Sequence, residues 1–145
     1  MRVVAQRVAQ ASVSVGRIVH GRCDRGLLVL VGVAIGDSEN DARRLAGRVA
    51  RLRVFENEDG RLDRSLVDIR GAALVVSQFT LIADTTKGNR PSFAGAASPE
   101  VAEPLYLLFC GALGNEGVHV KTGVFGARME VSLVNDGPVT IVLDS

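Results

Sequence analysis

Ser77, Gln78 and Thr80 interrupt the segment GAALVVSQFTLI, residues 71–82, which otherwise holds only glycine and apolar side chains. A strand covered on both faces stays apolar, because a polar group taken out of water costs free energy unless it is hydrogen-bonded. Two hydroxyls and a carboxamide here fit one of two arrangements. In the first, the strand end emerges into solvent and its hydroxyls bond to neighbouring backbone. In the second, these groups and free backbone N–H groups line a cleft and meet a ligand.

Other chemistry-bearing residues are sparse. A hydroxyl nucleophile needs a base, and neither histidine, His20 or His119, is close in sequence to Ser77 or Thr80. The chain contains no G-x-S-x-G, and GNRPSFAG matches neither the P-loop nor the dinucleotide pattern. Lys87 and Arg90 flank Gly88 in a loop rich in small and polar residues, where they either hold a phosphate or are simply solvated. Glu56 and Glu58 sit in a turn and read as solvated. Cys23 and Cys110 have apolar neighbours and no metal-ligand spacing, so they read as reduced, buried thiols. Arg7 lies in a strand rich in Val and Ala, where it faces the surface or, if buried, needs a partner.

SLVNDGPVT, residues 132–140, raises a separate question. Alternating residues before it and VTIVL after it read as two strands, and Asp-Gly between such runs signals a hairpin. Yet Pro138 stands where the returning strand should begin, and proline has no N–H to give a ladder.

The elements that must position these residues follow from periodicity. RVVAQRVAQASVSV reads as a long strand whose alternation slips near Ala9 to Ala11, as at a bulge, and RIVHGRCD pairs with it after a turn at Gly16. GLLVLVGVAI is apolar enough for a central strand. Ser38 and Asp41 form a capping box, and Ala42, Leu45, Ala46, Val49 and Leu52 follow at helical spacing. Arg43, Arg44, Arg48 and Arg51 take the other face of that helix, as a solvated face or a phosphate contact. Ser98-Pro99 starts a second helix with Val101, Leu105, Leu108, Phe109 and Ala112 as its apolar stripe, and Pro104 predicts a late start or a kink. Further strands are predicted near 118–121, 129–134 and 139–143. The pattern predicts a single α+β domain over residues 1–145, with a barrel-like, mostly antiparallel sheet and two main helices.

With 145 residues, 47% of them hydrophobic, the chain has the size and composition to bury a core. No apolar run is long enough for a membrane helix, and the alternating start MRVVAQRVAQ carries no leader-like stretch, so a cytoplasmic protein is expected. A net charge of +1 gives no support to a large footprint on DNA or RNA, and leaves a short nucleic-acid end open.

SQFTL at 77–81, RPSF at 90–93 and NDGPVT at 135–140, with the opening QRV…ASV and the LLVLVGV strand, together resemble the D-aminoacyl-tRNA deacylase family. The resemblance is collinear and covers essentially the whole chain. It implies a homodimer, without metal or cofactor, that hydrolyses the ester between a D-amino acid and tRNA, removes glycine mischarged on tRNA and rejects L-aminoacyl-tRNA. It implies a cis bond between Gly137 and Pro138, which would project into the partner subunit's site and read the substrate's α-amino group through their carbonyls. Ser77, Gln78, Phe79 and Thr80 would be the catalytic stretch. The N–H groups around Phe79 and Thr80 would stabilise the oxyanion, and Gln78 would orient the terminal ribose. Arg7 would hold the Gly-Pro bend. Either Thr80 attacks or the terminal 2′-hydroxyl of the tRNA activates water, and the lack of an evident base favours the RNA. An RNA-end binding module and a Thr80-dependent hydrolase of non-RNA esters are the competing readings.

Overall fold

The structure is a computed structural model describing residues 1–145. Strand β1 (Arg2–Val15) is its organising element. Its first half pairs antiparallel with β3 (Gly26–Gly32), and its second half pairs antiparallel with β2 (Ile18–Cys23). Strand β3 continues into β6 (Ala72–Ser77) and then β7 (His119–Thr122), both added in parallel. A parallel neighbour requires a crossover. Helix α1 (Glu39–Arg51) lies in the connection from β3 to β6, and α2 (Pro99–Asn115) in that from β6 to β7. A two-stranded hairpin, β4 (Phe55–Glu56) with β5 (Leu62–Arg64), precedes β6. No helix is long and apolar enough to cross a membrane.

The sheet curls until its two ends meet. A Cβ on Gly21 of β2 would stand 2.6 Å from the Thr122 carbonyl oxygen of β7, so only glycine allows this approach. The result is the expected α+β domain with a nearly closed, barrel-like sheet. Alternation along β3 sorts its side chains. Leu27, Val29 and Val31 join the larger core under the helices, whereas Leu28 joins Val8, Val13, Leu74 and Val76 in the smaller one.

Helix α1 begins at the predicted capping box: Ser38 accepts from the Asp41 N–H, and Asp41 accepts from the Ser38 N–H. Helix α2 starts directly after Ser98 and runs through Pro104. The late start is not observed. Pro104 is near the N-terminal end and exposed, and its missing donor frees only one carbonyl, that of Glu100, itself an exposed residue. Val101 is exposed rather than part of the stripe, whose buried members include Tyr106, Cys110 and Leu113.

The predicted hairpin at Asp136-Gly137 does not form. Residues Glu130–Asp144 are one strand, β8, antiparallel to β1 along its whole length. Ser132 pairs with Ser12, Asn135 with Val8, Thr140 with Gln6 and Asp144 with Arg2. Between Gln6 and Val8 on β1, five steps of β8 oppose two, so the segment around Gly137 and Pro138 bulges out of the strand instead of reversing it. The reason is β1 itself. At 14 residues it is long enough to template both halves of β8. The alternation slip expected near Ala9 to Ala11 adjoins this bulge and coincides with a second register shift, between Val8 and Gln10.

Candidate active site

Strand β6 is apolar up to Val76 because it lies between β3 and β7 and is covered on both faces. Its polar end is where it leaves the sheet. The Gln78 N–H makes a last bond to the Val31 carbonyl (2.8 Å), and the chain then turns into a short 3₁₀ segment, Phe79–Ile82. Gly32 permits this turn, since a Cβ there would lie 2.9 Å from the Gln78 carbonyl oxygen. The first hydrogen bond of the turn runs from the Leu81 N–H to Gln78 (3.2 Å). The N–H groups of Phe79 and Thr80, which open the turn, therefore have no acceptor within it.

This turn borders a cleft of about 540 Å³. Val76, Ser77, Gln78 and Phe79 line it from β6 and the turn. Phe93, Ala96, Ala97 and Pro99 line it from the approach to α2 and its first residue, and Phe125, Gly126, Ala127, Met129 and Val131 from the loop after β7 and the start of the last strand. Phe79, over half exposed, meets Phe93 edge to face with ring centroids 5.2 Å apart. Tyr106 steadies the floor. Its hydroxyl donates to the Val75 carbonyl (2.9 Å), and its ring lies 5.9 Å from that of Phe125. The Tyr106 phenol is pushed well above its usual range by burial.

The lining contains no histidine, carboxylate, amine, guanidinium or thiol. Thr80 is exposed beside the cleft, and its hydroxyl accepts from the Gln78 carboxamide, a group that takes no proton. His119 pairs with Ala72 at the far end of β6, and His20 lies exposed on β2. Protein-borne base catalysis thus has no candidate at the cleft, whereas hydrogen-bond donation does.

Arg7 is buried, at 6% exposure. Its guanidinium donates from Nε to the Asp136 carbonyl (2.9 Å) and from Nη1 to the Val54 carbonyl (2.8 Å), and it lies 3.3 Å from the Asp136 carboxylate. It ties the bulge of β8 to the chain beyond α1. Asn135 closes the bulge from within, its carboxamide oxygen accepting from the Val139 N–H (3.2 Å). Within the bulge the Gly137-Pro138 bond is cis, and both residues are exposed. Gly137 has φ +132°.

One protomer does not bring the two groups of residues together. Arg7 pairs with Leu27 on β3, and Ser77 pairs with Val31, which sets the bulge and the cleft about 13 Å apart along that strand. Neither Gly137 nor Pro138 lines the cleft. Lys87 and Arg90 are exposed in a loop closed by reciprocal backbone bonds between Asp84 and Ser92 (2.8 and 2.9 Å), directly before Phe93. Hydrogen bonds from the Thr86 backbone N–H and hydroxyl hold the Asp84 carboxyl below its usual range. The arginines of α1 are engaged on the surface. Arg43 pairs with Glu39, Arg44 with Asp41 and Arg51 with Glu116, and Arg48 donates to the Asp144 carbonyl.

Sequence reasoning missed Phe125 and Met129 in the cleft wall. A signal was present: three of the five phenylalanines line the cleft, and Phe125 stands in the loop TGVFGAR, where a large apolar side chain has no periodic reason to be.

Comparison with known proteins places this geometry. D-aminoacyl-tRNA deacylases from Roseiflexus sp. (strain RS-1) and Thermus aquaticus are 61% and 57% identical over 145 residues, covering all of this chain and 94% and 95% of those proteins. A solved structure named c-Myc DNA Unwinding Element Binding Protein superposes with a TM-score of 0.93 at 40% identity, covering 100% of this chain and 99% of that one. A probable eukaryotic D-amino acid tRNA deacylase shares the fold, with a TM-score of 0.85 at 22% identity over 99% and 98% of the two chains. The sequence pattern of D-Tyr-tRNA(Tyr) deacylases spans residues 4–144, nearly the whole fold just described, and the chain belongs to that family.

Proposed function

We propose that this chain hydrolyses the ester bond of D-aminoacyl-tRNA, releasing free tRNA and the D-amino acid. The observation that carries the reading is the SQFT turn. In a member of this family, the polar break of an otherwise apolar strand opens on a cleft through backbone N–H groups with no partner in their own turn. Those groups, at Phe79 and Thr80, stabilise the oxyanion of the tetrahedral intermediate. Ser77 and Gln78 form the polar rim, and Gln78 orients the terminal ribose. The aromatic faces of Phe79, Phe93 and Phe125 accept a base. Because the lining offers no proton acceptor, the 2′-hydroxyl of the terminal ribose activates the attacking water.

Chiral selection belongs to a second copy of the chain. In a homodimer the exposed Gly137 and Pro138 of the partner subunit enter the cleft, and their carbonyls bind the substrate ammonium while the backbone leaves no room for an L side chain. Rejection by fixed backbone discriminates without recognising any side chain, so many D-residues are accepted, and glycine as well. Arg7 holds the bend, Lys87 and Arg90 contact the acceptor end, the protein works in the cytoplasm, and no metal or cofactor takes part.

Incubation with matched D- and L-aminoacyl-tRNA tests the reading. The D-ester should be cleaved and the L-ester spared. Cleavage of both alike removes the chiral role, and binding without cleavage of either leaves an RNA-end binding module.

A further inference from the structure

The cations near α1 and those near the cleft differ in their partners. Those of α1 and its surroundings have carboxylate or carbonyl partners: Arg43, Arg44, Arg48, Arg51 and Arg53. Lys87, Arg90 and Arg128 are exposed with no carboxylate within ion-pairing distance, as are Arg17, Arg22, Arg61, Arg70 and Lys121 elsewhere on the surface. Lys87, Arg90 and Arg128 are set apart by standing in segments that supply the cleft lining. Lys87 and Arg90 occupy the loop that runs into Phe93, and Arg128 stands between Ala127 and Met129, both of which line the cleft. The loop that carries Arg128 is built rather than slack: Gly126 takes φ +73°, and the Ala127 N–H donates to the Val124 carbonyl (3.2 Å). Two of the segments that line one apolar, charge-free cavity thus each present unpaired positive charge at its rim.

The cavity lining offers no cation to a phosphate, but a rim of unpaired cations can hold the phosphates of a strand whose terminal nucleoside enters the cavity. We propose that Arg128 is a phosphate-binding residue for the single-stranded end of the tRNA, acting with Lys87 and Arg90 to hold the backbone just before the terminal nucleoside. Guanidinium suits this role, since its planar donors match phosphate oxygens. The inference rests on the deacylase reading, and it adds the residue and the phosphodiester chemistry to which it responds. Arg128 touches neither the ester nor the ribose, so it acts on binding and not on the chemical step.

The test compares wild type, Arg128→Ala and Arg128→Glu on two substrates: D-aminoacyl-tRNA, and 3′-O-(D-aminoacyl)adenosine, which keeps the ester and the 2′-hydroxyl but has no phosphate. With tRNA, Arg128→Ala should raise KM by about two- to fivefold, the range of an exposed ion pair, and Arg128→Glu by more, with kcat unchanged in both. The dependence of log KM on log salt should flatten by about 0.7 for each phosphate of the single strand that the variant no longer neutralises. With the aminoacyl-adenosine, all three proteins should behave alike. Wild-type KM and salt slope for tRNA in Arg128→Glu overturn the phosphate-binding role, as does an equal loss on both substrates, which assigns Arg128 to shaping the loop. A wild-type protein that cleaves neither D-substrate overturns the deacylase reading itself, and this proposal with it.

Discussion

At Gly137 a single hydrogen atom in place of a methyl group sets the shape of the bulge. With φ at +132° the residue is in a region that other side chains avoid, and an added Cβ would stand 2.8 Å from Val139 Cγ2 and 2.9 Å from the Val139 nitrogen. Because a backbone atom is among the neighbours, the bend must move. Gly137→Ala should therefore cost about 1–3 kcal/mol in chemical denaturation. It should lower D-aminoacyl-tRNA hydrolysis by more than that loss explains, on the order of a hundredfold, since small misplacements of binding groups are expensive. Unchanged hydrolysis would show that nothing reads this bend. Thr80 makes the contrasting case. Its hydroxyl only accepts a bond from Gln78, while the backbone N–H proposed to meet the oxyanion survives truncation. Thr80→Ala should keep kcat within about tenfold of wild type, whereas losing a true oxyanion donor costs about a hundredfold or more. A D-aminoacyl-tRNA lacking the terminal 2′-hydroxyl should bind and react far more slowly. A dead Thr80→Ala enzyme, an acyl-enzyme in the wild type and normal cleavage of the 2′-deoxy substrate would together move the mechanism to the threonine.

Strands β1 and β8 act as one device. Arg7 projects from β1 where β8 departs from its register, and it occupies two carbonyls that belong to segments far away in sequence, at Val54 and Asp136. Replacing it by methionine keeps the apolar stem and removes both bonds, leaving the buried Val54 carbonyl without its charged donor. Arg7→Met should cost about 2–4 kcal/mol by urea denaturation. Arg7→Lys should fall between the two, because one ammonium does not reproduce a fork that serves two carbonyls. If Arg7→Met matched wild type in both stability and hydrolysis, the bulge would owe its shape to Asn135 and the ladder alone. The second device is the β6 exit, where Gly32, the last β3 bond to Gln78 and the Tyr106 hydroxyl on Val75 fix where the apolar strand stops and the polar turn begins.

At the scale of the molecule, the bulge and the cleft lie at different levels of the sheet and share no cavity. A site composed of both needs two copies of the chain. Mixing a Gly137→Ala protein with a Gln78→Ala protein, each impaired alone, should then restore part of the activity through hybrid dimers carrying one intact composite site. Full subunit exchange without recovery would return the site to a single chain. The near-zero net charge belongs to this scale too. The arginines of α1, the densest cationic run in the sequence, are occupied by neighbouring carboxylates and a carbonyl, so they add little free positive surface.

What the sequence determined by itself is what short-range chemistry controls. Ser38 and Asp41 specify a helix start wherever they are placed, the continuous apolar runs of β3 and β6 demand cover on both faces, and the polar break at Ser77–Thr80 marks where the buried strand ends, because buried polar groups need partners. Family likeness was equally legible, since collinear motifs require no folding to be read. Only the tertiary structure decided the fate of Asp136-Gly137. A local rule reads Asp-Gly as a hairpin, but a long neighbouring strand with free bonding groups on both sides of the bend outweighs it, and the chain bulges instead. It also decided which cations are free, which depends on carboxylates as remote as Glu116 is from Arg51, and it assembled the cleft wall from Phe79, Phe93 and Phe125. Each of these is a matter of packing between distant segments, for which sequence spacing carries no geometric information.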